Sequence, residues 1–445
     1  MERRAQLSNV YGSVQALPPP KSNPDNASLT HAVTLLVGWE QVEEFMCRPR
    51  HMLLAVRGEE EHDAERRKEA DARFRRTLHY LYSHMRCGIY VLVRFGALQI
   101  FAPFVNPTYA NNWHRNISMP PPTEYYAAKS RALKKPVEKG FLMDASTWWV
   151  NAGGIVCNEP GDQLWGDHNF LEHRRLLVAV CASERIRDCE FFLNKRDHPQ
   201  LRLDRCEPYA FCYPDTPNLR LALDWTGAHV PILSGYTSRT RFEDVRWPVL
   251  ADVYPTYPTQ LLKAWSARRP VAVWRGSATG DGVDPAINQR LKLAIRTPSP
   301  HLDVGITSWS IRDRIVGGKM RWMNPIGRAV PRLSWAQQQE YKYVVYVQGH
   351  SAADRYGALM CSGSVVLKVD STCAADELWF FSELKPWVDH VPVQADLSDL
   401  DTQIAWLQRN DIAAQHMSTA AMKLHAQLFS SQHLHAFCAS VLNTL

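Results

Sequence analysis

No Cys-x-x-Cys pair and no metal-finger spacing occurs among the ten cysteines, so the chain offers neither a redox dithiol nor a cysteine-based zinc frame. A chain of 445 residues needs no disulfide staples to bury a core, and these cysteines are read as free thiols in a reducing compartment. Charge of one sign is also lacking. Lys and Arg number 51 against 45 Asp and Glu, a net +6 spread along the chain without a basic block, which argues against nucleic acid as a partner. No hydrophobic run is long enough for a bilayer. The most apolar stretch, 88–105, carries Arg94 and closes on Ala102-Pro103-Phe104-Val105-Asn106-Pro107, so it reads as two short buried strands. The first 28 residues hold no apolar core of a signal peptide, and Asn443-Thr444-Leu445 is not a retention signal, so the expectation is a cytoplasmic protein with no transmembrane segment.

Several catalytic signatures are missing as well. There is no G-x-G-x-x-G, no Walker lysine, no G-x-S-x-G elbow, no kinase H-R-D and no H-E-x-x-H, and no internal repeat of 20 to 50 residues. A nucleotide-cofactor oxidoreductase is disfavoured on that ground. Asp167, His168 and His173 stand in no metal-binding frame and are read as solvated or packed polar residues; Asp399-Leu400-Asp401 is read as a helix cap. No metal site is expected.

What is present is an ordinary globular composition, 45% hydrophobic and 22% charged, in a length suited to two substantial domains plus a tail. Residues 1–30, with Pro18-Pro19-Pro20, form an expected flexible arm. From Arg57 to Tyr82 the charges alternate in sign, which predicts a solvated helix laced by i,i+4 pairs. A helix over Leu171 to Cys181 and a buried strand over Cys189 to Asn194 follow, the strand ending at Lys195-Arg196-Asp197-His198-Pro199. The second half repeats this grammar. A strand at Val271 to Trp274, a Gly-rich loop at 276–282, a helix over Pro285 to Ile295, a strand at Tyr343 to Val347, a helix over Asp354 to Met360, a strand at Ser364 to Val369 and helices within 398–428 are expected, with Leu400, Ile404, Leu407, Ile412 and Met422 on apolar faces. Alternating strands and helices imply parallel sheets covered on both faces, and the boundary between the halves falls near residue 265.

Ligands of such sheets bind at the carboxyl ends of the strands, which singles out three loops. In Trp274-Arg275-Gly276-Ser277-Ala278-Thr279-Gly280-Asp281-Gly282, glycine admits a ligand close to backbone and Arg275 can neutralise an anion; a plain flexible loop is the alternative. In Gly349-His350-Ser351-Ala352-Ala353-Asp354-Arg355, free N–H groups at a helix start and the Arg355 fork suit phosphate; a capped helix with a surface arginine is the alternative. Asp197 beside Lys195 and Arg196 is, by itself, a turn or salt-bridge acid.

Taken in order, Asn194-Lys195-Arg196-Asp197-His198-Pro199-Gln200, Trp274-Arg275-Gly276-Ser277, Tyr341-Lys342-Tyr343-Val344-Val345-Tyr346-Val347-Gln348-Gly349, Cys361-Ser362-Gly363-Ser364-Val365-Val366-Leu367-Lys368 and Leu384-Lys385-Pro386-Trp387 resemble the protein O-glucosyltransferase (Rumi-type) and capsule-associated xylosyltransferase family of glycosyltransferases. The resemblance runs from about residue 145 to 430. It implies an α/β fold of GT-B architecture, two Rossmann-like domains facing across a cleft: an acceptor-side domain over 31–265 and a nucleotide-sugar-binding domain over 266–445, with the last helix packing back on the first. It further implies an inverting transfer of glucose, xylose or a related sugar from a UDP-sugar donor to a hydroxyl of a glycan or protein acceptor. Asp197 matches the general base. Ser277, Arg290 and the loop His350, Ser351, Ala352, Ala353, Asp354 and Arg355 match donor contacts, with no cofactor and no metal. One departure stands out: Trp379 occupies the place where the family usually has an acid, just before Phe380-Phe381.

The residue types agree with that chemistry. An attacking hydroxyl must shed a proton, which an aspartate in hydrogen-bond reach can take, and a departing diphosphate gains charge that arginines and backbone N–H groups can stabilise. A catalytically silent sugar-nucleotide or glycan-binding protein is the alternative reading.

Overall fold

The computed structural model describes residues 62–85, 87–105, 148–151, 154–157, 169–194, 196–205, 228–253, 262–297, 299–309, 314–316, 319–321 and 325–445, together with positions 39, 42, 47 and 50. The expected arm at 1–30 and the residues Asp167, His168 and Lys195 lie outside that set. Helix α1 spans His62–Tyr80. The charged residues Glu65 to Glu69 are all exposed, so its first part is solvated all round, while Phe74, Leu78 and Tyr80 further along are buried. Strands β1 (Cys87–Arg94) and β2 (Ala97–Val105) follow, joined by Phe95 and Gly96 at φ 56° and 73°. Two successive left-handed residues make the tight turn that matches strand twist, and they force the pair antiparallel. Strands β3 (Trp148–Asn151) and β4 (Gly154–Cys157) pair with each other and with no other strand among the described residues.

Helix α2 (Asn169–Ser183) leads into β5 (Cys189–Leu193), followed by the short strands β6 (Ile232–Ser234) and β7 (Val245–Arg246) and the single turn α3 (Leu250–Val253). The first sheet has the order β2-β1-β5-β6-β7. It is mixed where an all-parallel sheet was expected: β1 runs antiparallel to both β2 and β5, and only β5, β6 and β7 are parallel. The physical reason is the two-residue hairpin, because a parallel return would need a crossover of a dozen residues or more.

The second half holds β8 (Arg269–Ala278), α4 (Gln289–Ala294), β9 (Leu302–Trp309), the hairpin β10 (Arg314–Val316) and β11 (Lys319–Arg321), α5 (Trp335–Gln338), β12 (Tyr341–Tyr346), α6 (Tyr356–Met360), β13 (Val365–Val369), β14 (His390–Val393), α7 (Leu400–Arg409), α8 (Asp411–Leu428) and α9 (Ser431–Leu442). Its sheet has the order β14-β13-β12-β8-β9 and every pairing is parallel. Counted within this half, that is the 2-1-3-4-5 winding of a doubly wound sheet, with the strand order reversing between β8 and β12. The near-continuous apolar runs of β12 and β13 suit strands covered on both faces.

Several local expectations shift. Strand β8 runs on through Gly276 and Ser277 to Ala278, so the loop begins later than the glycines suggest. Gly276 is required there because a Cβ would sit 2.6 Å from the Trp274 ring. Helix α4 starts at Gln289, where Asn288 caps it by accepting from the N–H groups of Arg290 and Leu291. Asp399 precedes α7 but does not cap it through its side chain; its carboxylate instead takes the Gln394 N–H and the Gln403 amide. Leu400, Ile404 and Leu407 are buried as expected, whereas Ile412 is 74% exposed. Helix α9 lays Cys438, Ala439 and Leu442 against Leu176, Val180 and Val91 of the first half, and Asn443 ties it there through Arg187 N–H and Arg185 O.

Candidate functional site

The carboxyl ends of β8 and β12 flank the point where the strand order reverses, the place where a doubly wound sheet opens a crevice. Two loops line it, 279–282 after β8 and 347–355 after β12. Arg290, on the first turn of α4, holds them together. Its Nε donates to Gln348 O at 2.9 Å, Nη1 to Ser277 O at 3.0 Å and to Thr279 Oγ1 at 2.6 Å, and Nη2 to Val347 O at 3.1 Å. Burial, with Arg355 nearby, lowers its pKa to about 10. A guanidinium so engaged orders the two loops rather than presenting its fork to the crevice. The loops also touch directly. Gly280 N–H donates to His350 Nδ1 at 3.3 Å, and a Cβ on Gly349 would lie 2.7 Å from Thr279 Oγ1, so glycine is what lets them approach.

Ser277 Oγ accepts from Ser308 Oγ at 2.7 Å. Arg275, which the sequence offers as an anion-neutralising group, is instead ion-paired with Asp303 at 2.6 Å, and its carbonyl accepts from Arg355 Nη1 at 2.7 Å. That leaves Arg355 with guanidinium N–H groups that have no partner among the described residues. In the 349–355 loop Gly349 N–H donates to Ser351 O, Ala352 N–H to Ala375 O at 2.7 Å and Ala353 N–H to the Tyr346 hydroxyl at 2.8 Å. The Ser351 N–H and hydroxyl find no partner among the described residues. Helix α6 begins only at Tyr356, with Arg355 at its N-cap, so Gly349 to Asp354 form a loop braced by neighbours and not a first helical turn.

Asp197 stands on the first half, just past β5, and its side chain is exposed. The turn that carries it is built on a buried polar network. Asn194 accepts from Arg196 N–H at 2.8 Å and donates to His198 O at 2.7 Å and to Ser234 Oγ at 2.9 Å. Ser234 in turn donates to Asp244 at 2.6 Å, and Asp244 also takes the Gln200 and Leu201 N–H groups. Burial pushes the Asp244 carboxyl up to about 6, against those hydrogen bonds. Arg196 points away from the cleft, donating to Met85 O and Cys87 Sγ.

Tyr236, two residues beyond Ser234, joins the two sides. Burial raises its hydroxyl well above the ordinary value, and the negative charges of Asp354, Asp197 and Asp252 act in the same direction. The exposed acid of the first half and the exposed acid of the 349–355 loop therefore both lie in electrostatic reach of one phenol. Immediately after it, Thr237 exchanges backbone hydrogen bonds with Glu377 across the two halves, at 3.2 and 2.9 Å. Asp252 reaches the same way. Its buried carboxyl, raised well above the usual range by burial, accepts from Trp379 Nε1 at 2.8 Å. Trp379 thus fills the family's acidic position with a buried ring packed on Phe380, Phe429 and Phe437.

Residues 175–444 match the profile of glycosyl transferase family 90. The chain belongs to that family. Relatives include uncharacterized protein 035R of Invertebrate iridescent virus 3, 32% identical over an alignment of 386 residues that covers 78% of this chain and 34% of that one. Uncharacterized protein 027R of Frog virus 3 (isolate Goorha) is 30% identical over 79% of this chain and 40% of its own length. Protein O-glucosyltransferase 1 of Homo sapiens is 25% identical over 53% of this chain and 56% of its own. The chain spans about two fifths or less of the viral relatives. The matched region takes in the Asp197 turn, both crevice loops and the strand order that creates them.

Of the site residues anticipated from sequence, Ser277, Arg290, His350, Ser351, Ala352, Ala353, Asp354 and Arg355 gather at one crevice, and Asp197 lies in electrostatic reach of Tyr236, as Asp354 does. Tyr236, the Asn194–Ser234–Asp244 network and the bracing contacts of Thr279 and Gly349 within the anticipated loops are seen only in the structure. The polar Asn194 ending an apolar strand was the one available signal for that network. No local pattern points to Tyr236.

Proposed function

We propose that the chain is an inverting glycosyltransferase of GT-B type that moves glucose, xylose or a related sugar from a UDP-sugar to a hydroxyl of a glycan or protein acceptor. The observation that carries this reading is that an exposed carboxylate, Asp197, acts on the same buried Tyr236 as Asp354 of a switch-point crevice whose two loops are locked together by Arg290. Asp197 takes the proton of the acceptor hydroxyl as it attacks the anomeric carbon. The bond to the diphosphate breaks on the opposite face, and the Arg355 fork with the Ser351 N–H and hydroxyl meets the charge that develops on the leaving group. No step needs a metal. Residues 31–265 serve the acceptor and 266–445 the donor. Membership of the family, and the name protein O-glucosyltransferase 1 borne by one relative, support the reaction class.

Thermal melting with UDP, UDP-glucose, UDP-xylose, GDP-mannose or NAD tests the donor. A ligand that binds only the folded chain stabilises it by about 2.7 kcal/mol at 100 times its Kd, a rise of a few degrees in midpoint. UDP and at least one UDP-sugar should raise the midpoint, and Arg355→Ala should abolish the rise. Stabilisation by NAD alone, or by nothing in the panel, overturns the reading.

A further inference from the structure

A strap at 371–377 crosses the carboxyl edge of the second sheet and is stitched to the crevice loop through Gln348. The Cys373 thiol donates to Gln348 Oε1 at 3.0 Å, and Gln348 Nε2 donates to Asp376 O at 3.0 Å. The backbone pair Ala352 N–H to Ala375 O, at 2.7 Å, closes the seam. Asp376 is therefore fixed beside the donor loop by its main chain, while its side chain is left over. Asp376 Oδ1 is buried and has no hydrogen-bond partner among the described residues. An orphaned carboxylate oxygen is costly, and natural structures leave one where a ligand or water completes it.

A second charge, half-buried, also lacks a hydrogen-bond partner among the described residues. Lys368, the penultimate residue of β13, lies beside Tyr346 in the parallel register. Its ammonium rests 5.1 Å from the centroid of the Phe381 ring and has no hydrogen bond or ion pair among the described residues. Burial pulls its pKa down, while Asp370, Asp376 and Asp389 oppose that pull. Of these, Asp389 is already engaged with His390 at 2.6 Å and with the Lys385 N–H at 2.7 Å. Lys368 and Asp376 are in electrostatic reach of one another and each is short of a polar partner, which suits a group able to donate and accept at once. A sugar hydroxyl does both.

We propose that Lys368 and Asp376 form the subsite for hydroxyls of the transferred sugar, one hydroxyl donating to Asp376 Oδ1 while it or its neighbour accepts from Lys368 Nζ. This rests on the UDP-sugar reading above and extends it from the nucleotide to the sugar. Titration calorimetry with UDP, UDP-glucose and UDP-xylose on the full chain and on Lys368→Met and Asp376→Asn tests it. Each variant should bind UDP within about twofold of the parent. The ratio of Kd for the UDP-sugar to Kd for UDP should rise about tenfold, the size of one lost charge-assisted hydrogen bond. Lys368→Arg, which keeps the charge and donors, should recover part of the loss. An unchanged ratio, or equal weakening of UDP and UDP-sugar, overturns the subsite. If the parent binds none of the three, the donor reading fails and the subsite with it. Melting of each variant without ligand separates lost folding from lost binding.

Discussion

Asp197 and Arg290 show how differently two charged residues of one site are used. Asp197 is exposed between the buried Arg196 and His198, which leaves its carboxylate open to the proton exchange proposed for it. Arg290 is enclosed and gives its N–H groups to Ser277, Thr279, Val347 and Gln348, the posture of a group that sets geometry. Asp197→Asn removes the proposed base without changing shape, so transfer should fall by about 10² to 10⁴ while UDP-sugar affinity is kept. Single-turnover rates alongside calorimetry check both parts, and normal turnover in the variant would end the assignment. The aspartate's place in a turn just past β5 was legible from sequence because Pro199 and the charged run end the apolar strand. Arg290 was legible as a residue of the site but not as a brace, since its partners are backbone carbonyls, which no sequence pattern marks.

At the scale of elements, the apolar strands and the amphipathic helices α7 and α8 followed from periodicity, because burying apolar side chains dictates which positions face inward. What failed were the ends, and Ile412, expected on an apolar face of α8 but 74% exposed. Strand β8 ran past Gly276, and α6 began at Tyr356, because tertiary contacts from Trp274, Arg290 and Tyr346 outweigh local propensity there. The β5 turn depends on side chains 40 residues downstream: Ser234 donates to Asp244 and accepts from Asn194. Ser234→Ala should cost about 1 to 3 kcal/mol by leaving buried polar atoms short of a partner. It should also lower transfer at unchanged UDP affinity, because the Asp197 turn loses its brace while the crevice loops do not. Urea unfolding and steady-state kinetics on the same preparation check the pair of effects.

Over the whole molecule, the halves are joined by Thr237 with Glu377, by Asp252 with Trp379, and by α9 lying on the first half's core. Buried histidines add a pH dependence. Burial lowers His173 to about 4, and its Nδ1 has no partner among the described residues. The unfolded chain takes up a proton near pH 6.5 that the folded chain refuses until about 4, so this group's contribution is intact above 6.5 and is lost as pH falls through that window. At about 1.4 kcal/mol per unit the loss reaches about 3 kcal/mol. Asp244, raised to about 6, works in the opposite sense over an overlapping range, so the parent curve alone does not isolate the histidine. The difference between parent and His173→Leu does: the variant's advantage in melting temperature should widen as pH drops from 7 to 4, and a constant gap would refute it.

Composition and periodicity alone were enough to establish an α/β chain with parallel strands in its second half and a core of the observed elements, because these depend on local burial and backbone geometry. The mixed pairing of the first sheet was decided by one two-residue turn. The strand order that opens the crevice, the Arg290 brace and the approach of Asp197 and Asp354 to Tyr236 were decided only in three dimensions. Each depends on residues tens to more than a hundred positions apart, and such contacts arise from the packing of whole elements rather than from any local run of side chains.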